Sequence, residues 1–484
     1  MNRANEPAGP LRFSNPSGAA WPITAGTGAY AGCAPVPWTH TNRVKLLLVT
    51  GLYVAALLWA YAAVVSPAFA YDGCNLTWPG TGAMVWVVTL ALLPVSFLPY
   101  SLERPSALIV WWLYLAVYIP SILVPALSLS MPFEELFLFQ ITLLPCMGLL
   151  CLISSARLLT IRQVAVSRTL FWWGFLLVWV ICLGYVATKV RPSMLVTNLA
   201  SLFQGATPYT IRSRYRDLIF ETGRGLAYVV GQLDQALNPF LMAFGWVYRR
   251  RLCLVAGIIG QVIVFSLTGF RAALASVLFL AIVALVMRYW RRSFGLALTS
   301  GLIAAILISA IADHATQRVL FSSIITRRTL VTPGLLSGFY YEHYSHFAPV
   351  GIGFHFSRGE DFVAPANEIG LAYFRSLDVN ANANLWAEGF AELGLPGILG
   401  FTLLVAFVIW IYDSIAARRD RTLAALLAAM PAVTLSNTSP TTTLISHGGL
   451  AVALVLYVTP SPKSDEILEP EMESEESHRI PSTA

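Results

Sequence analysis

The chain has 484 residues, of which 57% are hydrophobic and only 12% are charged, and its formal net charge is +6. Such a composition leaves too few solvated groups to cover a water-soluble globule, so it excludes that class and predicts a polytopic membrane protein. The positive charge does not indicate a nucleic-acid partner, because the basic residues are spread over many short segments instead of being gathered in one domain.

The apolar segments are about 20 residues long and apolar all round, which predicts membrane-spanning helices and not the alternating strands of a barrel. We therefore predict an all-α transmembrane bundle of about twelve spans with one large, partly helical extracytoplasmic loop. Residues 1–42, rich in Pro, Gly, Ala and Asn, and the acidic residues 461–484 are predicted to be disordered cytoplasmic tails. The predicted spans are 44–66, 82–100, 106–129, 133–154, 169–188, 225–247, 252–269, 271–288 and 294–312, and then 387–411, 422–438 and 443–459.

The orientation follows from Arg and Lys, which are retained on the cytoplasmic side of a membrane. Arginines follow every even-numbered span up to the tenth, including Arg249 to Arg251 after the sixth and Arg418, Arg419 and Arg421 after the tenth. The short loops at 67–81, 130–132 and 439–442 contain neither Arg nor Lys. This pattern predicts a membrane protein with both termini in the cytoplasm, so that the long polar segment 313–386 lies outside.

Arg271 lies on the opposite face from the cytoplasmic arginines, at a tight hairpin between the seventh and eighth spans. An arginine at the centre of a spanning helix costs about 2.5 to 3.5 kcal/mol in insertion assays, so even an interfacial one favours a compensating partner. An anion is one such partner, and lipid headgroups reached by the long side chain are the alternative.

Further arginines are predicted at the same membrane face. They are Arg212, Arg214 and Arg216 before the sixth span, and Arg318, Arg327, Arg328, Arg358 and Arg375 in the long segment. Several guanidinium groups together favour phosphate through paired hydrogen bonds, and a lipid-linked pyrophosphate fits that chemistry. The alternative for the first group is a solvated charge run beside Asp217 and Glu221.

Candidate bases lie in the long segment and at its end. Glu342, His343 and His346 stand among Tyr340, Tyr341 and Tyr344. Asp361, Glu368 and Asp378 are further acids of the same segment that could act as a base. Glu388 and Glu392 are four residues apart and therefore share a helix face, where they serve as a base or complement the helix dipole. Two histidines without further ligands at a defined spacing do not predict a metal site, whereas histidine suits general-base catalysis near neutral pH.

Three features resemble the O-antigen polymerase and O-antigen ligase superfamily of membrane glycosyltransferases. They are Thr268-Gly-Phe-Arg271 opening a span, the large external loop before the last spans, and the stretch from Asn384 to Gly397. That stretch is similar to the family pattern Asn-x-x-Leu-x-x-x-Glu-x-Gly-x-x-Gly, with Leu385 displaced by one or two positions. In ligases a histidine precedes the motif asparagine, but this chain has Ala383 there.

The resemblance implies a metal-independent, cofactor-independent, inverting sugar transfer of the GT-C type, with undecaprenyl pyrophosphate as the leaving group. The external arginines would hold the pyrophosphate, and the candidate base would be His343, His346, Glu342 or Glu388. Asn384, Glu392 and Tyr341 would position the acceptor or the loop. Ala383 favours a polymerase over a ligase, and a chain-length regulator is an expected partner. The other alternative is a transporter of lipid-linked sugars, for which Asp234 within the sixth span is the main indication.

Overall fold

The computed structural model describes residues 40–164, 166–190, 208–223, 225–351 and 363–460. The described residues are about 80% helical, and no strand occurs among them, so the all-α prediction is confirmed. The first ten α-helices are α1 His40–Ala60, α2 Ser66–Phe69, α3 Thr81–Leu92, α4 Pro105–Leu113, α5 Ile119–Ser128, α6 Phe133–Ile153, α7 Arg168–Ala187, α8 Pro208–Thr222, α9 Gly225–Gln232 and α10 Asn238–Val247. The others are α11 Arg251–Thr268, α12 Arg271–Trp290, α13 Phe294–Thr316, α14 Thr332–His346, α15 Pro365–Phe374, α16 Leu385–Leu393, α17 Leu395–Ala416, α18 Arg421–Leu435, α19 Pro440–Ile445 and α20 Gly449–Val458.

Seven helical runs in the described part of the chain are long and apolar enough to cross a membrane. One of them, Arg271–Thr316, has 46 residues. At 1.5 Å per residue it would be about 69 Å long, more than twice the hydrocarbon thickness of about 30 Å. The backbone departs from helical geometry at Trp290 and Ser293, which separates this run into α12 and α13. Three shorter apolar helices overlap other predicted spans: Thr81–Ser96, Arg421–Leu435 and Gly449–Val458.

The run Pro105–Ser128 forms the centre of the bundle and is buried along its whole length. Its first half, α4, packs against α18, and its second half, α5, packs against α14. Polar side chains fix its position: the backbone N–H and the hydroxyl of Ser106 donate to the carboxylate of Asp413 at 3.0 and 2.5 Å, and Trp112 Nε1 donates to Ser436 Oγ at 2.7 Å. Because lipid offers no competing hydrogen bonds, such pairs are the expected way to place polar groups inside a bundle.

The π-helical turns explain how spans with internal prolines remain helical. Each of the four π turns in the described ranges ends two residues before a proline: Tyr61–Val65 before Pro67, Tyr114–Tyr118 before Pro120, Leu233–Leu237 before Pro239, and Ser323–Val331 before Pro333. Proline lacks the amide hydrogen of a helical hydrogen bond, and its ring clashes with the carbonyl four residues earlier. A locally wider turn relieves that clash without ending the helix.

The predicted external segment 313–386 is largely helical in its described part, and α14 is integrated into the bundle. A Cβ atom on Gly334 would overlap the carbonyl of Pro120 in the central run, so the two backbones approach closely. The predicted tenth span, 387–411, is divided at Gly394, whose φ of 69° ends α16 before α17 begins. The run long enough to cross a membrane is Leu395–Ala416, so α16 precedes this span and is not part of it. Glycine tolerates this positive φ without strain, which explains why one apolar segment forms two helices.

Candidate functional site

His343 lies on α14 and contacts a carboxylate on α15. Its Nε2 is 3.1 Å from Glu368 Oε1, and the ring stacks on Phe347 with a centroid distance of 4.6 Å. An ionised carboxylate only accepts hydrogen bonds, so we assign the ring hydrogen to Nε2 and leave Nδ1 as the basic nitrogen. The Tyr344 hydroxyl donates to Glu368 Oε2 at 2.8 Å and holds the carboxylate from its other side. A histidine oriented by a carboxylate is suited to act as a general base.

Glu342 serves the packing of α15 on α14. The Tyr373 hydroxyl donates to Glu342 Oε2 at 2.8 Å, and the Tyr373 ring stacks on Phe339 with a centroid distance of 4.1 Å and an angle of 11°. Burial raises the pKa of Tyr373, and the bonded Glu342 adds to that rise, so the phenol remains a donor. These contacts hold Glu368 in place opposite His343.

The segment between α15 and α16 folds back over the start of α15. Ala381 N donates to Ala366 O at 2.9 Å, and Asn367 Nδ2 donates to Leu377 O at 2.8 Å. Asp378, the next residue, forms an ion pair with Arg216 of α8 at 2.8 Å. The fold therefore brings Arg216 close to the end of α15 that carries Glu368.

Arg271 is linked to the same region through aromatic contacts. Tyr215, the neighbour of Arg216, packs edge-on against Phe270 with a centroid distance of 5.6 Å. Arg271 follows Phe270 as the first residue of α12 and is half-buried. We refer to Arg216, Arg271, His343, Glu368 and Asp378 as the loop cluster.

Asn384 holds the junction between the fold-back segment and α16. Its Oδ1 accepts from Trp386 N and Ala387 N at 3.0 and 3.3 Å, which caps α16. Its Nδ2 donates to Pro333 O at 3.0 Å and to Ser337 Oγ at 2.7 Å on α14. All of the side-chain polar atoms of Asn384 are thus used to lock α16 onto α14, which sets the position of the loop cluster above them.

Glu388 and Glu392 are buried within the packing of α16, with 8% and 1% of their surfaces exposed. Burial, and next the nearby Glu392, raise the pKa of Glu388 to about 8. Burial likewise raises the pKa of Glu392 to about 7. Glu388 accepts from the Tyr340 hydroxyl at 3.4 Å. A carboxyl that is largely protonated and enclosed at neutral pH is better suited to holding α16 in place than to taking a proton from an external substrate.

No family model, curated protein or solved structure matches this chain.

Other predicted site residues lie apart from the loop cluster or beyond the described structure. Tyr341 packs between Phe139 and Phe390 and donates to Glu135 O at 3.0 Å, so it joins α14 to α6 and α16. His346 is exposed at the end of α14, and Arg318 is exposed just after α13. No described contact links either side chain to the loop cluster. Arg358 and the side chains of Arg212 and Arg214 lie outside the described residues.

Glu368 is one of the acids considered as a base in the long segment, but its contact with His343 was not predicted. Asp361, another of those acids, lies outside the described residues. Glu368 lies 25 residues from His343, and nothing in that spacing indicates contact, because the pairing depends on how α15 folds onto α14. Ser337 is similar: its hydroxyl lies 2.8 Å from Ser121 Oγ in the central run and also accepts from Asn384. Within the described ranges, no group of three or more His, Cys, Asp or Glu side chains is placed to hold a metal ion.

Proposed function

We propose that this protein is a glycosyltransferase that polymerises undecaprenyl-pyrophosphate-linked oligosaccharide repeat units at the outer face of a bacterial cytoplasmic membrane. The observation that carries the proposal is the loop cluster. It combines two guanidinium groups, Arg216 and Arg271, with a histidine oriented by a carboxylate, and these four residues come from four different helices. Cations that suit a diphosphate and a base that suits a hydroxyl are the two requirements of sugar transfer from a pyrophosphate.

The proposed chemistry is a single displacement. The acceptor hydroxyl oxygen attacks the anomeric carbon of the donor sugar while the bond from that carbon to the pyrophosphate oxygen breaks. His343 Nδ1 takes the hydroxyl proton, and the leaving undecaprenyl pyrophosphate keeps the bonding electron pair. Arg216 and Arg271 neutralise the charge that develops on the leaving oxygen, which is the role a metal ion has in other phosphate chemistry. Attack opposite to the leaving group inverts the anomeric configuration.

The proposal includes the predicted topology of about twelve spans with both termini in the cytoplasm. It requires the loop cluster to face the outside, where the lipid-linked repeat units are joined. A cysteine introduced at the exposed Asn382 is expected to react in intact cells with a reagent that cannot cross the membrane. A cysteine introduced at the exposed Arg292 is expected to react only after the membrane is opened.

The functional test compares polymer length in cells that carry variants of the chain. Arg271→Ala is expected to abolish long polymer, because removing a guanidinium that holds the leaving group removes charge stabilisation in the transition state. Arg292→Ala is the matched control, since Arg292 is also basic but lies just beyond the other end of α12. Polymer of normal length from Arg271→Ala, at unchanged protein level, would refute the proposal.

The same experiment separates the competing functions. Full-length polymer that accumulates on its lipid carrier, without transfer to lipid A core or protein, would indicate a ligase. Purified protein that moves a labelled lipid-linked sugar between the leaflets of a vesicle, without extending it, would indicate a transporter.

A further inference from the structure

Asp234 is a buried acid that the loop cluster does not use. It lies in the π turn Leu233–Leu237, between α9 and α10, with 8% of its surface exposed. Its Oδ2 accepts from Gln235 Nε2 at 2.5 Å, whereas its Oδ1 is buried and has no hydrogen-bond partner. A buried carboxyl oxygen without a partner is costly in either protonation state, so such an atom indicates a site that is completed by something else.

The surroundings of Asp234 are polar but uncharged. Gln261 Nε2 donates to Asp234 O at 2.8 Å and to Ser276 Oγ at 2.9 Å, and Thr434 Oγ1 donates to Gln235 Oε1 at 3.1 Å. These amide and hydroxyl groups hydrogen-bond to one another, and Asp234 Oδ1 remains without a hydrogen-bond donor. None of the ion pairs in the described ranges involves Asp234. The missing partner is therefore a hydrogen-bond donor supplied from outside this network.

Asp234 lies near Tyr215, the residue that precedes Arg216 on α8. Burial raises the pKa of Tyr215 to about 12, and the charge of the nearby Asp234 carboxylate adds to that rise. Tyr215 is the residue beside Arg216, and its ring contacts Phe270, which precedes Arg271. Tyr215 therefore connects the surroundings of Asp234 to Phe270 and the start of α12, where Arg271 lies.

The chemistry around Asp234 selects among the parts of a lipid-linked glycan. A carboxylate repels a diphosphate, so Asp234 cannot share the diphosphate with the arginines. A sugar hydroxyl both donates and accepts, so it pairs with a carboxyl oxygen among neutral amides and hydroxyls. The sugar joined directly to the diphosphate is also the part of the glycan that must lie next to Arg216 and Arg271.

We infer that Asp234 Oδ1 accepts a hydrogen bond from a hydroxyl of the sugar attached to the diphosphate, and that the Asp234–Gln235–Gln261 network is a sugar-binding subsite. The inference rests on the proposed function, since it takes the diphosphate-linked sugar as the ligand. It adds a residue that selects the sugar-bearing carrier over the bare one.

The test measures the binding of two probes to purified protein in detergent. One probe is undecaprenyl pyrophosphate without sugar, and the other is the lipid-linked repeat unit extracted from cells that lack this chain. Asp234→Asn keeps the shape but removes the charge, and it is expected to weaken binding of the sugar-bearing probe about tenfold or more, because hydrogen bonds to charged groups are the stronger ones. Binding of bare undecaprenyl pyrophosphate is expected to stay unchanged.

Asp413→Asn is the matched control, because Asp413 is also a buried acid but both of its oxygens are bonded to Ser106. It is expected to bind both probes as the unchanged protein does. Asp234→Glu is a second variant that retains a carboxylate and tests the site if the asparagine variant does not fold. Asp234→Glu is expected to weaken the binding of the sugar-bearing probe and to leave the binding of the bare carrier unchanged.

The outcomes separate the two proposals. If the unchanged protein binds neither probe, the proposed function fails and the inference fails with it. If it binds both, and the Asp234 variants bind both equally well or lose both equally, the inference is overturned while the proposed function stands.

Discussion

Glu388→Gln tests the electrostatics of the buried acid pair through the pH dependence of stability. The pKa of Glu388 is raised from an ordinary 4.5 to about 8 by burial and by Glu392. For a carboxyl, this means that the folded state binds the proton more tightly than the unfolded chain. The contribution of Glu388 to stability is therefore complete below about pH 4.5 and is lost progressively as the pH rises through 8.

The magnitude follows from the same values. A tenfold change in proton affinity corresponds to about 1.4 kcal/mol, so moving the pKa from 4.5 to about 8 corresponds to at most about 5 kcal/mol. Glu388 and Glu392 titrate as a coupled pair, and the site relaxes on ionisation. We therefore expect the measured loss of stability to be about 2 to 3 kcal/mol. Glutamine cannot ionise, but its carbonyl still accepts from Tyr340, so the variant avoids this loss.

The assay is thermal unfolding of the purified protein in detergent at pH 5.5, 7 and 8.5, followed by tryptophan fluorescence. The unchanged protein is expected to lose stability between pH 7 and 8.5, and Glu388→Gln is expected to lose less. Glu221→Gln is the matched control, because Glu221 is an exposed acid on α8. Parallel pH curves for the unchanged protein and Glu388→Gln would refute the reasoning.

The remaining predictions concern the base and the packing beneath it. His343→Gln is expected to reduce transfer at least 100-fold at unchanged protein level, as loss of a general base does, and initial rates with purified lipid-linked substrate would measure this. Glu368→Gln removes the orienting carboxylate and is expected to reduce the turnover rate about tenfold or more with little change in KM, so a change confined to KM would contradict the assignment. Gly397→Ala places a Cβ against the Gly389 carbonyl and is expected to cost about 1 to 3 kcal/mol of stability. Gly400→Ala is the control, because a Cβ there meets open space, and it is expected to leave stability unchanged in the same unfolding assay. Asn384→Ala is expected to cost about 2 to 3 kcal/mol, through the lost cap of α16 and the lost hydrogen bonds to Pro333 O and Ser337 Oγ on α14. A melting temperature within error of the unchanged protein would oppose that role.

The helical membrane class was predictable from the sequence because hydropathy alone dictates it. Lipid forces backbone polar groups to pair within helices, so long apolar segments such as Pro105–Ser128 permit few alternatives. The limits of α11 and α12 around Gly269 were also predictable, since a glycine at a positive φ marks the end of a helix.

The arrangement of the predicted external segment could not be predicted from hydropathy. The polar composition of 332–346 indicates an aqueous surface, but Gly334 and Gly338 let α14 pack against Pro120 and Pro125 of the central run. Small residues promote close helix packing, yet their partners lie some 210 residues earlier in the chain. The division of the tenth predicted span at Gly394 was hidden for a related reason, because apolar residues continue on both sides of the break.

The sequence indicated which residues belong to the candidate site, but it did not indicate which residues they contact. Arg271 and His343 stand out because charged and titratable groups are rare in this chain. The pairing of His343 with Glu368 and of Arg216 with Asp378 was not predictable, because ion pairs and hydrogen bonds between distant segments leave no periodic signal in a single sequence.

The most direct test of the account is a transfer reaction with purified protein, purified lipid-linked repeat unit and EDTA. The account predicts a product of two joined repeat units on one carrier, with one undecaprenyl pyrophosphate released for each new glycosidic bond, and loss of both products in Arg271→Ala. A repeat unit that remains unextended with the unchanged protein, or extension that persists in Arg271→Ala, would contradict the claim that these guanidinium groups hold the leaving diphosphate.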